Sequence, residues 1–213
     1  MAISELQFAV KSSLTPSELD DAGALVAEAR WNQLAADWRV FLAHGRVYVA
    51  HTGAGRIVAT TATLPYGDRF AWISMVLVKG EYRRHGLATR LMRQAMDELA
   101  RQGRIPILDA TPDGRAVYRR LGFEDSWGFA RLIRRERPPA AGTYPGPADV
   151  TLRPVLDQDW EALCAYDAAA FGADRGAVLA GLRGRLPAAE LVAERAGRVV
   201  GFALGRDWSA YSG

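Results

Sequence analysis

The stretch that most constrains this chain runs from position 70 to position 102. Phe70 to Val78 is a run of nine residues without a charge, the pattern of a strand covered on both faces in the middle of a sheet. It breaks at Lys79-Gly80, passes the turn Arg83-Arg84-His85-Gly86-Leu87-Ala88, and enters a helix predicted over 86–102. Leu87, Leu91, Ala95 and Leu99 recur at every fourth position there, with Met92 and Met96 beside them, and Gly103 closes the helix. A strand that feeds a helix through glycine and arginine builds an anion site. The N–H groups of the first turn have no internal partner, and the helix dipole favours negative charge. Gly86 and the small Ala88 let a bulky diphosphate approach the backbone, while Thr89 and the arginines add hydrogen bonds. The competing reading is an ordinary helix start with a solvated arginine face. Arginine is common throughout, since only Lys11 and Lys79 are lysines among 27 cationic side chains.

The flanking segments read as a mixed sheet with helices. Leu6, Phe8 and Val10 alternate with other residues as in a short strand, and Thr15-Pro16-Ser17-Glu18 starts a helix running towards Arg30. A second helix over 35–44 carries Trp38, Phe41 and Leu42 on one face, and Gly45 ends it. Segments 46–52 and 56–64 form a hairpin around Gly53-Ala54-Gly55, too short of glycine and of a following helix to bind a dinucleotide. After the long helix come a strand over 105–110, a helix over 113–121 and a last strand over 123–133. The order β-α-α-β-β-β-α-β-α-β is an α+β fold on one mixed sheet. Residues 136–149 (ERPPAAGTYPGPAD) are rich in proline, glycine and alanine and read as a linker between a first domain, 1–135, and a second, 150–213. The second repeats the first's opening: a strand over 150–155, a helix over 157–171, a further helix over 175–186, and a hairpin of 190–195 with 198–204. LVAERAGRVVGFAL echoes VYVAHTGAGRIVATTATL. The copy stops where the long central strand would begin, so its last strand is expected to dock on the first domain or to exchange with a second chain, giving a homodimer.

Composition removes several classes of function. Hydrophobic residues are 49% of the 213 and charged residues 24%, as in a folded globular protein. A helix that spans a bilayer needs roughly 20 apolar residues, so no membrane partner is expected. MAISELQFAV has no basic start followed by an apolar core, and the single cysteine, Cys164, suits a reducing compartment, so a cytoplasmic location is expected. His44, His51 and His85 lack ligand spacing, and no metal is expected. A net charge of +3 with the arginines gathered at one turn gives no extended basic face for nucleic acid.

R-R-x-G-x-A after an apolar strand, followed by Tyr118-Arg119-Arg120-Leu121-Gly122-Phe123 on the next strand–helix unit, resembles the GNAT acetyltransferase superfamily. The resemblance covers 5–134 and implies the GNAT fold, followed here by a partial second β-α-α-β-β unit that lacks the cofactor loop and hence a second acetyl-CoA site. It implies an acetyl-CoA-dependent N-acetyltransferase, bacterial in type, acting on the primary amine of a small molecule by direct attack. Arg83, Arg84, His85, Gly86, Leu87, Ala88 and Thr89 would hold the diphosphate. Backbone groups of Met75, Val76, Leu77 and Val78 would pair with the pantetheine arm, and Tyr118 would protonate the leaving thiolate. A phenol near pKa ~10 is close enough in acidity to a thiol for that role. The alternative for Tyr118 is a core tyrosine packed under the cofactor.

The family pattern is departed from twice. Many members carry a glutamate base near the start of the central strand, where this chain reads Phe70-Ala71-Trp72-Ile73-Ser74. Asp37, Glu28 or a relay through water are the remaining candidates. Where members often have an asparagine seven residues before the tyrosine, this chain has Thr111, which retains a hydroxyl for the cofactor. Trp31-Asn32-Gln33 followed by Asp37-Trp38 resembles a bacterial subgroup with a second GNAT-like domain. Trp31, Asn32 and Asp37, with Trp72 and Ser74, are candidates for an amine pocket. For Trp38 the competing reading is helix core, and for Asn32 a cap. The missing glutamate keeps a second function open, a non-catalytic acyl-CoA-binding or regulatory module.

Overall fold

A computed structural model describes residues 5–130 and 147–207. Strands β1 (Gln7–Lys11), β2 (Arg46–His51), β3 (Ile57–Tyr66), β4 (Phe70–Val78) and β5 (Ile105–Ile107) form one sheet in that spatial order. The first four pair antiparallel. β5 lies parallel to β4, because the chain returns through the crossover helix α3 (Leu87–Arg101). Helix α1 (Pro16–Glu28) opens on a reciprocal cap: Thr15 Oγ1 accepts from Glu18 N–H at 3.3 Å, and Glu18 Oε2 accepts from Thr15 N–H at 2.8 Å. Helix α2 (Ala35–His44) is capped by Asp37, whose Oδ2 accepts from Leu34 N–H at 2.7 Å. At its other end a Cβ on Gly45 would stand 1.9 Å from the Thr63 carbonyl oxygen, so only glycine lets α2 approach β3.

The sheet separates two cores. On one face α3 lays Leu87, Leu91, Met92, Ala95 and Leu99 against Tyr48, Ala50, Val58, Ala59, Ala71 and Ile73. On the other, α1 and α2 lay Ala22, Leu25, Val26 and Trp38 against Val47, Val49, Ile57 and Ala62. Burying each large aliphatic side chain contributes about 1.5–3 kcal/mol. Asp21 is the polar exception beneath α1: Arg56 Nε at 2.7 Å and the Ile57 N–H at 3.0 Å donate to it.

A second, smaller sheet of β6 (Thr151–Pro154), β7 (Glu190–Arg195) and β8 (Arg198–Leu204) repeats the order and antiparallel sense of β1, β2 and β3. It carries α5 (Trp160–Phe171) and the short α6 (Gly176–Ala180). Arg153 ties these parts together, donating to Asp159 at 2.8 Å and to Glu194 at 2.7 Å. This unit docks on the first one, though not through the outer edge of β8, which faces no strand among the described residues. Arg185 Nη1 donates to Asp37 Oδ1 at 2.7 Å, Arg206 Nη1 to Asp37 Oδ2 at 3.1 Å, and Arg206 Nη2 to Asn32 Oδ1 at 2.7 Å. Phe171 at the end of α5 packs edge-on against Tyr66, with 5.1 Å between ring centroids.

Three elements differ from the sequence expectation. The last strand expected over 123–133 is absent over 123–130, where the chain has no regular structure; 131–133 lie outside the described residues, as does most of the expected linker, 136–149. Gly128 and the run Glu124-Asp125-Ser126 supply no alternation to hold a strand there. β5 stops at Ile107, short of 110, because the next residues lead into Thr111 and Pro112 at the start of α4 (Pro112–Arg120). The helix expected over 175–186 is only α6, ended by Gly181 and Gly184, the latter with φ +72°.

Candidate active site

β4 is the element from which the site is built. Thr60 faces Leu77 and Ala62 faces Ser74 across β3 and β4, so Met75 and Val76 stand opposite the single Thr61. Met75 takes φ +54°, and its carbonyl accepts from Thr60 Oγ1 at 2.7 Å. The bulge turns the strand over. Ala71 and Ile73 face the α3 core, Met75 and Leu77 the α1–α2 core, and Val76 and Val78 pack back towards α3. β4 and β5 then part. Their pairs are Phe70–Ile105, Ala71–Pro106 and Trp72–Ile107, and past Trp72 no described strand lies on that side of β4. The backbone groups on that edge before Val78 O, which accepts from Arg83, are therefore left for another partner.

The open edge leads into the cationic loop. Arg84 (φ +63°) and Gly86 (φ +77°) are both left-handed and fold the chain sharply into α3. A Cβ at Gly86 would meet nothing within 4 Å, so the concavity before the helix is open. The first helical acceptor, Gly86 O, is taken by Arg90 N–H at 2.9 Å, which leaves the N–H groups of Leu87, Ala88 and Thr89 without a helical partner. Arg84 and His85 are exposed. Arg83 is engaged instead: it donates to Val78 O at 2.9 Å and to Glu28 Oε1 at 2.7 Å, pinning the loop to the end of α1. Positive φ in non-glycine residues is costly and collects where a fold is shaped for a task. Two of the four such residues among the described residues, Met75 and Arg84, fall in this segment.

Tyr118 joins the same place from α4. It packs on the α3 core together with Val76, Val78 and Leu108, and its ring meets Phe123 at 6.1 Å. Burial pushes its phenol above the ordinary value, so the group stays protonated. The ring leans over Gly114, where a Cβ would stand 2.8 Å from Tyr118 Cε2. Thr111 caps α4, its Oγ1 accepting from Gly114 N–H at 3.2 Å.

The fold thus runs the edge of Met75–Val78 into the loop of Arg84 to Thr89, with Tyr118 packed on the same core as Val76 and Val78. The five acceptor candidates are divided. Trp72 and Ser74 lie half-buried on β4. Trp31 packs on the α1–α2 core, while the side chains of Asn32 and Asp37 are occupied by Arg206 and Arg185. Trp38 is fully buried core, and Glu28 is bound to Arg83. Neither carboxylate named as a base is unpaired. The sequence reading missed Arg185 and Arg206, whose partners lie in the first unit, and it missed Phe171, whose partners are about a hundred residues away in the chain. Among the described residues there is no cluster of metal-ligating side chains, and no helix is long and apolar enough to cross a membrane.

A strand with a bulge, a splayed parallel neighbour, a cationic turn at a helix start and a tyrosine on a later helix make up the candidate site. Residues 43–125 match the family model for the acetyltransferase (GNAT) domain. The chain is 25% identical over 181 residues to an uncharacterized N-acetyltransferase of Bacillus subtilis, YitH, a match covering 84% of this chain and 62% of the relative. A provisionally named acetyltransferase structure from Pyrococcus horikoshii superposes with a TM-score of 0.62 at 20% identity, over 86% of this chain and 64% of that one. A predicted acetyltransferase from Clostridium acetobutylicum with acetyl-CoA shares the fold at a TM-score of 0.50 and 16% identity, over 60% of this chain and 96% of its own. The family match is confined to residues 43–125, and the chain spans less than two thirds of both the Bacillus and the Pyrococcus proteins.

Proposed function

We infer that the chain transfers an acetyl group from acetyl-CoA to the primary amine of a small molecule by direct attack. The observation that carries this reading is one continuous feature: the edge of 73–77, which no described strand covers, runs into an open, uncapped helix start at Gly86. In this reading Arg84, His85 and the N–H groups of Gly86 to Thr89 bind the diphosphate, with Arg83 bracing the loop. Met75 to Val78 pair with the pantetheine arm as a strand would. Bound acetyl-CoA supplies the acyl group as an activated thioester. Tyr118 gives its proton to the departing sulfur, and a water relays the proton lost by the amine, since Glu28 and Asp37 are engaged. Residues 1–135 form the catalytic unit and 150–213 an accessory unit without a phosphate loop.

The test is acetyl-CoA consumption, followed by release of free thiol across a panel of primary amines, with wild type and Tyr118→Phe. Amine-dependent thiol release that falls at least a hundredfold in Tyr118→Phe is expected. The engagement of both carboxylates favours one other reading, a module that binds acyl-CoA without turning it over. That reading predicts no thiol release with any amine, and no effect of Tyr118→Phe.

A further inference from the structure

A cavity of about 390 Å³ lies at the closed end of the β4–β5 wedge, walled by Phe70, Trp72, Ile105, Ile107, Trp127 and Phe171. Resting on the acetyltransferase reading, we propose that this cavity is the acceptor subsite, that it takes the ring of an arylalkylamine, and that the second unit completes it through Phe171. Position comes first. Trp72 and Ile107 are the last pair of β4 and β5 before the strands part, so the cavity adjoins the edge where the acyl group would be presented. Three residues separate Trp72 from the bulge at Met75, about 10 Å of strand, which is the reach of a ring carrying a short amine chain.

The chemistry of the wall selects the class. It offers aromatic and aliphatic surface and no carboxylate, so nothing there would pair a second ammonium or a row of sugar hydroxyls. Its single charged liner is the exposed Arg69, which repels polycations. Aromatic side chains hold an aromatic guest by edge and offset contacts. They are already set in that geometry, with Tyr66 edge-on to Trp72 at 6.4 Å and Phe70 against Phe171 at 6.0 Å. Phe171 is fixed before any ligand arrives. The guanidinium of Arg175 lies 4.1 Å over its ring and donates to the buried Asp167 at 2.7 and 2.8 Å. The accessory unit is in this way part of the acceptor site.

The experiment uses the full chain with 2-phenylethylamine, and with spermidine and glucosamine as comparators. Binding of each amine is measured by calorimetry without acetyl-CoA, acetyl-CoA binding separately, and turnover by thiol release. We expect 2-phenylethylamine to bind and to be acetylated with kcat/KM at least tenfold above both comparators. Phe171→Leu, which keeps an apolar side chain but removes the ring, should lower that value about three- to tenfold through KM. Arg69→Glu, at an exposed position, should raise turnover of spermidine. Acetylation of spermidine or glucosamine as good as that of 2-phenylethylamine would overturn the subsite while leaving acetyl transfer standing. So would indifference of all three amines to both variants. Binding of 2-phenylethylamine without acetylation, by protein that binds acetyl-CoA, would overturn its role as acceptor. Failure to bind acetyl-CoA would overturn the acetyltransferase reading as well.

Discussion

Tyr118 gathers several constraints at one residue. Its half-buried ring packs on the α3 core, it leans on a glycine, and burial raises its phenol above the ordinary value. In the proposed mechanism the acid form is the one that protonates sulfur. A raised value keeps that form in place past pH ~10, so kcat should show no alkaline loss from this group below that pH. A pH profile of kcat that falls between pH 8 and 9, with the same fall in Tyr118→Phe, would assign the limb to another group. Gly114→Ala is predicted to displace the ring, lowering kcat tenfold or more while leaving acetyl-CoA affinity within twofold, because the added methyl would stand 2.8 Å from Cε2. Steady-state kinetics beside a binding titration separates the two effects. Tyr118 was readable from its local motif, whereas its dependence on Gly114 follows from the rotamer, which sequence does not carry.

Elements were legible to different degrees for physical reasons. β4 and α3 announce themselves because their apolar residues are spaced to match the faces they bury. The bulge at Met75 leaves no trace in composition, since it arises from the register between β3 and β4. The absent strand over 123–130 shows the converse: Phe123, Trp127 and Phe129 suggest a strand, but Glu124-Asp125-Ser126 and Gly128 break the alternation that would hold one. Beneath α1 the Asp21 carboxylate feels two opposed effects. Burial pushes its pKa up, but hydrogen bonds from Arg56 and Ile57 N–H win and hold it below the ordinary value. Asp21→Ala removes the acceptor and strands the Ile57 N–H, at a cost of about 1–3 kcal/mol measurable by denaturant unfolding. An unchanged midpoint would mean that α1 is held by its apolar face alone.

At the scale of the whole molecule, the W-N-Q…D-W segment was recognisable but its use was not. Asp37 receives Arg185 and Arg206 from the second unit, contacts separated by 148 and 169 residues in sequence. Long-range pairing of this kind has no local signature. Arg185 is only 9% exposed and is paired with Asp37 and Asp207, so Asp37→Ala would remove one of its two carboxylates and the contact that ties it to the first unit. Amide exchange over 147–207 should then quicken at least tenfold, while α3 is unaffected; equal protection in both proteins would show that apolar contacts hold the units together. The second unit should also be acid-sensitive. Hydrogen bonds from Arg153 and from Leu156 N–H hold Asp159 down to about 2, against an ordinary 3.8. A lowered carboxyl stabilises the folded form above its unfolded value, and that stability is lost as pH falls towards 2. Exchange protection of β6–β8 should therefore decline between pH 4 and pH 2, and Asp159→Asn should flatten that decline.

The central claim is that the open β4 edge and the Gly86 turn form one acetyl-CoA site. Calorimetric titration of acetyl-CoA into wild type and Gly86→Glu tests it most directly. The substitution places bulk and negative charge in a space that is empty in the fold, so it opposes the diphosphate at the point of contact. Binding near one site per chain in wild type, weakened at least a hundredfold in Gly86→Glu with the circular dichroism unchanged, is the predicted result. Equal affinity in the two proteins, or no binding by wild type at millimolar ligand, would contradict it.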